Sequence, residues 1–112
     1  MQTQNGNSAA VVAAGGLSRE QVLSARASVP DHVVYREFVN ETVVLNLETG
    51  MYHGLNPSGG KMLDALRKAS VVSEAAEPLA AHYNRALPEI EDDLYVLCLG
   101  LVERGLVELA FD

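Results

Sequence analysis

The residues with chemistry to offer are few. His32, His53 and His82 lie 21 and 29 residues apart, each on a different stretch of chain. A histidine metal site usually shows a close pair, such as two residues at i and i+4 on one helix face. No such pair exists here, so each imidazole reads as a surface or half-buried side chain. Cys98 is the single cysteine, which excludes an intramolecular disulfide and any multi-cysteine cluster. A nucleophilic thiol needs an exposed, electropositive setting. Cys98 stands between Leu97 and Leu99 in an acidic segment and reads as a buried apolar filler.

Glu91, Asp92 and Asp93 suggest paired carboxylates, but consecutive helical residues diverge by about 100°, so the three cannot converge on one substrate. They fit a solvated first turn matched to the helix dipole, or attraction for a basic group on a partner. Gly59-Gly60-Lys61 resembles a phosphate loop only superficially: Met62 stands where Ser or Thr is required, and the earlier glycine is missing at its spacing. With no nucleophile–base pair, metal cluster or phosphate cradle, no catalytic residue, metal or cofactor is expected. The chain does not read as an enzyme.

The bulk properties narrow the remaining classes. A chain of 112 residues, 48% apolar, makes one globular domain. Its longest apolar runs reach about nine residues, against the roughly 20 that cross a bilayer. Met1–Asn7 carries no Lys or Arg, so a secretory signal is not expected, and a cytoplasmic protein with a reduced thiol is the default. Eight basic against fifteen acidic side chains give a net charge of −7. From Asp31 onward the counts are six and fourteen. Nucleic acid, which is bound largely through cations on phosphate, is a poor partner for such a surface.

Several elements must carry these residues. Positions 1–28 read as a flexible N-terminal extension with a short helix over 18–28, where Ser18 and Gln21 fit a capping box. Pro30 then stops any helix, and the domain is expected over 30–110. Three strand-like runs follow: His32–Val39, Thr42–Leu47 and Met51–Leu55, joined by turns at Asn40-Glu41 and Glu48-Thr49-Gly50. In the middle run Val43, Leu45 and Leu47 share one face, and Thr42, Val44 and Asn46 the other. Three helices come next. One starts at Asn56–Ser58 with Met62, Leu63, Leu66 and Ala69 on its apolar face; a second opens at Ser73 or Glu77; a third runs from near Pro88 to Arg104 and stops at Gly105. Leu106–Phe111 is extended or irregular. The class is α+β: a three-stranded antiparallel sheet followed by three helices.

Two features exceed background. Leu94–Val102 is apolar all round, so the third helix must be covered on more than one side, either inside the domain or by a partner. The third strand, Met51-Tyr52-His53-Gly54-Leu55, is an edge without the Lys, Pro or inward charge that usually blunts one. An open edge beside an apolar helix is suited to accept an incoming peptide strand. Coverage of the edge by a chain terminus or a second subunit, as in a homodimer, is the competing reading.

Val44-Leu45-Asn46-Leu47-Glu48-Thr49-Gly50-Met51-Tyr52-His53-Gly54-Leu55-Asn56-Pro57-Ser58-Gly59, with the closing Leu101-Val102-Glu103-Arg104-Gly105-Leu106-Val107, resembles the signature of PqqD-like proteins. The resemblance spans roughly 30–109. It implies a non-catalytic, winged-helix-like domain that recognises the leader of a ribosomally made precursor peptide and binds it as an extra strand. Stand-alone versions resemble the leader-binding proteins of lasso-peptide pathways, which deliver the precursor to a leader peptidase and a cyclase. A chaperone for a radical peptide-modifying enzyme is the near alternative, and a winged-helix DNA-binding regulator a more distant one.

Carried over by position, the resemblance implies a strand-pairing site at Met51, Tyr52, His53, Gly54 and Leu55. It implies a helix wall of Asp92, Asp93, Tyr95, Val96 and Leu99, extending towards Gly100. The acids at the helix start would favour a leader with Lys or Arg nearby.

Overall fold

The computed structural model of the protein describes residues 16–111. The chain before residue 16, which holds most of the expected extension, lies outside them. Ser18 caps the first helix, α1 (Arg19–Ser24): its side chain accepts from the Gln21 N–H at 3.1 Å, and Gln21 Oε1 accepts from the Ser18 N–H at 2.8 Å. Six residues cannot hold a helix alone. This one is held because Leu17, Val22 and Leu23 are buried in the common core.

The helix expected over 18–28 ends at Ser24, since Ala25 turns extended. Arg26–Ser28 form β1, antiparallel to β5 (Glu108–Ala110) with Ala27 opposite Leu109. Pairing with the C-terminal strand gives these backbone groups partners that a fraying helical turn beside Pro30 cannot offer. The packed unit therefore begins near Leu17, ahead of the expected boundary at residue 30.

The three expected strands form one antiparallel sheet in the order β2-β3-β4, with β2 at Val33–Glu37, β3 at Thr42–Asn46 and β4 at Tyr52–Leu55. Cross-strand rows run Val34–Leu45–Tyr52 and Tyr35–Val44–His53. Asn46 builds the second turn: its Oδ1 accepts from the N–H groups of Glu48 (2.9 Å) and Thr49 (3.3 Å), and Gly50 takes φ +76°.

Along β3 the inward face is Thr42, Val44 and Asn46, while the apolar Val43 and Leu45 are only half-buried. The two buried polar residues have structural tasks. Asn46 ties the turn, and Thr42 lies flat against Gly60.

Asn56 caps α2 (Pro57–Lys68) by accepting from the Gly59 N–H at 2.8 Å, with Pro57 in the first turn. Met62, Leu63 and Leu66 face the core as the apolar spacing predicts. The second expected helix opens with a 3-10 turn, Val72–Ala75, and continues as α3 (Ala76–Tyr83), placing Pro78 in its first turn where no N–H is needed. The long helix is α4 (Leu87–Glu103), and Gly105 follows at φ +71°. Ile90, Leu94, Cys98 and Leu101 on its inner face are fully buried.

Glycine substitutions test this packing. A Cβ at Gly60 would stand 2.1 Å from Thr42 Oγ1 and 2.8 Å from Thr42 Cβ, atoms fixed by the strand. Gly60→Ala should therefore cost about 1–3 kcal/mol in urea unfolding despite its gain in helix propensity. A Cβ at Gly100 meets only the movable Arg104 Nη1 at 3.2 Å. Gly100→Ala should gain about 0.5–1 kcal/mol in the same measurement.

Candidate functional site: the open edge of β4 and the trough beside it

β4 is an edge strand, and among the described residues nothing pairs with its outer side. The backbone groups it offers follow from the hydrogen bonds of β3. Asn46 N–H donates to Met51 O at 2.9 Å on the β4 side, whereas Leu47 N–H donates to His32 O at 2.7 Å on the β2 side. Bonding direction alternates along an antiparallel strand. Thr42, Val44 and Asn46 thus serve β4, and their opposite numbers Leu55 and His53 are consumed in the ladder. Tyr52 and Gly54 are left presenting N–H and C=O outward.

Side chains divide the other way. His53 and Leu55 turn to the helical side and are half-buried, whereas Tyr52 turns to the outer face and is 68% exposed. Gly54 also faces outward, with the Glu41 carboxylate lying over it. Met51 belongs to the turn, where its N–H donates to Thr49 Oγ1 at 3.1 Å. Of the five residues expected to form the strand, four lie in β4.

Between β4 and α4 runs an open trough. His53 and Leu55 form one wall, Leu97 and Arg104 the other, and Leu101 and Leu106 the floor; Asn56 and Gly59 close one end. Leu97, Leu101 and Arg104 at i, i+4 and i+7 present one face of the helix. A larger hollow between α2 and α3 is lined by Lys61, Lys68, Glu74 and His82 and touches no strand edge.

The residues expected to form the helix wall separate onto different faces. Asp92 accepts from Arg19 Nε at 2.7 Å, and Tyr95 Oη donates to Leu17 O at 3.0 Å, so both look toward the α1 segment. Leu99, one turn beyond Tyr95, shares that side and is half-buried. Asp93 accepts from Arg85 Nη1 at 2.7 Å, and Val96 is exposed at 66%. None of these five lines the trough. Leu97, Leu101, Arg104 and Leu106 do; helical spacing could have found the first three had the buried face of α4 been known, whereas Leu106 lies beyond the helix.

The charges at the start of α4 are also settled within the chain. Arg19 bridges Glu91 and Asp92, and Arg85 bridges Glu89 and Asp93. Hydrogen bonds donated to these carboxylates hold both guanidinium groups above their ordinary pKa, Asp92 leading for Arg19 and Asp93 for Arg85. The acids expected to attract a basic leader are occupied by the chain's own arginines.

The family model of coenzyme PQQ synthesis protein D (PqqD) matches residues 41–107, more than half of the chain, and the chain belongs to that family. Both walls of the trough lie inside this span. Among solved structures the chain is similar to TbiB1 in complex with the TbiA(beta) leader peptide. That match has a TM-score of 0.66 and 29% identity, covering 71% of this chain and 93% of that one. The fold is also that of a lasso peptide synthetase B1 complexed with the leader peptide, with a TM-score of 0.66, 20% identity, and coverage of 74% and 98%. No curated protein matches the sequence. No helix of the described residues is long and apolar enough to cross a membrane.

Cys98 is a free cysteine on the inner face of α4, and burial pushes its thiol up from 9.0 to about 12. The folded chain thus keeps a proton that the unfolded chain releases above about pH 9. The contribution of this thiol to stability should be level below pH 9 and fall as pH rises from 9 towards 12. At pH 8 the native thiol should react with a disulfide reagent far more slowly than in urea; equal rates would contradict its burial.

Proposed function

We propose that this protein is a non-catalytic adaptor, working in the cytoplasm, that captures the leader of a ribosomally made precursor peptide. The leader adds as a strand to β4 and is presented to a processing enzyme, in a lasso-type pathway a leader peptidase followed by a cyclase. The observation that carries the reading is the edge of β4, unpaired among the described residues, standing directly beside a trough lined by leucines together with His53, Asn56 and Arg104. The family supports it, as does likeness to a protein solved with a leader peptide in place. Tyr52 and Gly54 would supply the outward N–H and C=O groups, and His53, Leu55, Leu97, Leu101 and Leu106 would receive the leader's apolar side chains. Met51 flanks the docking strand. Asp92, Asp93, Tyr95, Val96 and Leu99 remain the helix positions that the family resemblance suggests, with Val96 and Asp92 the most exposed of them.

The alternation along β4 selects the decisive variant. A proline at His53 would break the internal ladder, whereas Tyr52→Pro removes one outward donor at the first residue of the strand, where proline is tolerated. The probe is a synthetic copy of the TbiA(beta) leader peptide, the ligand of the relative with 29% identity. Tyr52→Pro should weaken its binding about three- to tenfold in calorimetric titration, with the circular dichroism spectrum preserved. Unchanged affinity in a folded variant would exclude strand addition at this edge.

A further inference from the structure

Arg104 stands apart from the other charged residues near α4. It projects into the trough, and among the described residues it meets no carboxylate; its Nη1 donates only to the Gly100 carbonyl of its own helix, at 3.4 Å. This occurs in a chain where fifteen acidic side chains outnumber eight basic ones. Arg19 and Arg85 each hold two carboxylates, while Arg104 keeps its fork of donors beside Leu97 and Leu101. Gly100, having no side chain, lets the guanidinium lie close along the helix.

We infer that Arg104 is a specificity-determining residue that reads an acidic side chain of the docked peptide, next to the apolar residue seated on Leu101 and Leu106. The inference rests on the peptide-binding reading and deepens it by reversing the expected charge of the ligand: a leader with Asp or Glu at this point, rather than Lys or Arg. An exposed guanidinium with no carboxylate of its own favours such a partner, because a carboxylate accepts two parallel bonds from it. A purely structural role, complementing the C-terminal end of the α4 dipole, predicts no ligand preference at all.

The test uses random peptides displayed on phage, panned at low salt against the full chain and against Arg104→Glu. The wild-type protein should enrich Asp or Glu at one fixed spacing from an apolar residue, and Arg104→Glu should enrich Lys or Arg at that same position. A synthetic copy of one selected peptide should bind Arg104→Glu about five- to tenfold more weakly, and replacing its acid by Lys should restore most of that loss. The loss should shrink as salt is raised.

Circular dichroism of Arg104→Glu establishes that it is folded, with Arg104→Gln as the neutral companion. Selected peptides without a charge preference, or without the swap, overturn the role of Arg104. If those peptides still weaken with Tyr52→Pro, the strand-addition reading stands. Charge-swapping peptides that ignore Tyr52→Pro would sustain Arg104 and overturn edge docking. Failure to select any peptide overturns both.

Discussion

Along α4, Ile90, Leu94, Cys98 and Leu101 lose all contact with water, and the rest of the architecture is arranged around covering that helix. Each large apolar side chain withdrawn in this way contributes about 1.5–3 kcal/mol, so the helix cannot stand without cover. α1 packs on one side of it and α3 on another. α1 is too short to persist by itself, and it stays because it buries Val22 and Leu23 while Arg19 grips Glu91 and Asp92. The side toward β4 is the one left open, and there the half-buried Leu97 lines a trough above the fully buried Leu101. The apolar girdle of this helix therefore answers two demands at once, since it builds the core and leaves a strip for something else.

Charge is distributed by the same logic. Four acids open α4, where the helix dipole favours them, and two arginines from the flanking segments take them in pairs. These pairs lie near the surface and fix orientation more than stability. Their effect on a ligand is indirect: the two guanidinium groups offset half of that negative charge and occupy carboxylates that would otherwise meet a basic peptide. The cation of Arg104 lines the trough, while the Glu41 carboxylate lies over Gly54 at the strand edge. A charge count of the segment alone points to the opposite partner.

Much of this was legible in the residues. The capping residues Ser18 and Asn56, the turn at Gly50, the stop at Gly105, the strand-strand-strand-helix order and the burial of Cys98 follow from local chemistry, which acts over a few positions and is written there. The pairing of β1 with β5 was not legible, because two three-residue segments some 80 positions apart carry no signal of their own. Nor was the inward face of β3. Val43, Leu45 and Leu47 look like the buried set, but Thr42 is needed against Gly60 and Asn46 is needed for the turn, so tertiary contacts decide the face. The helix positions that line the trough were hidden for a related reason: all of Leu94–Val102 is apolar, and only the positions of α1 and β4 distinguish Tyr95 and Leu99 from Leu97 and Leu101.

Magnitudes then decide what a docked peptide must do. Only Tyr52 and Gly54 turn their backbone outward, so strand addition along β4 offers at most four ladder bonds. At about 0.5–1.5 kcal/mol each, these give about 2–6 kcal/mol in total. Ordering a flexible peptide costs about 2–5 kcal/mol, which nearly cancels that gain. The edge alone is therefore a weak and unselective dock, which also explains why an unblunted strand is tolerable here: a chance edge from another chain would gain little. Net affinity must come from side chains entering the trough, each apolar one contributing about 1.5–3 kcal/mol on the floor of Leu101 and Leu106. In the proposed complex the strand sets direction and spacing, and the helix side of the trough decides which sequences bind.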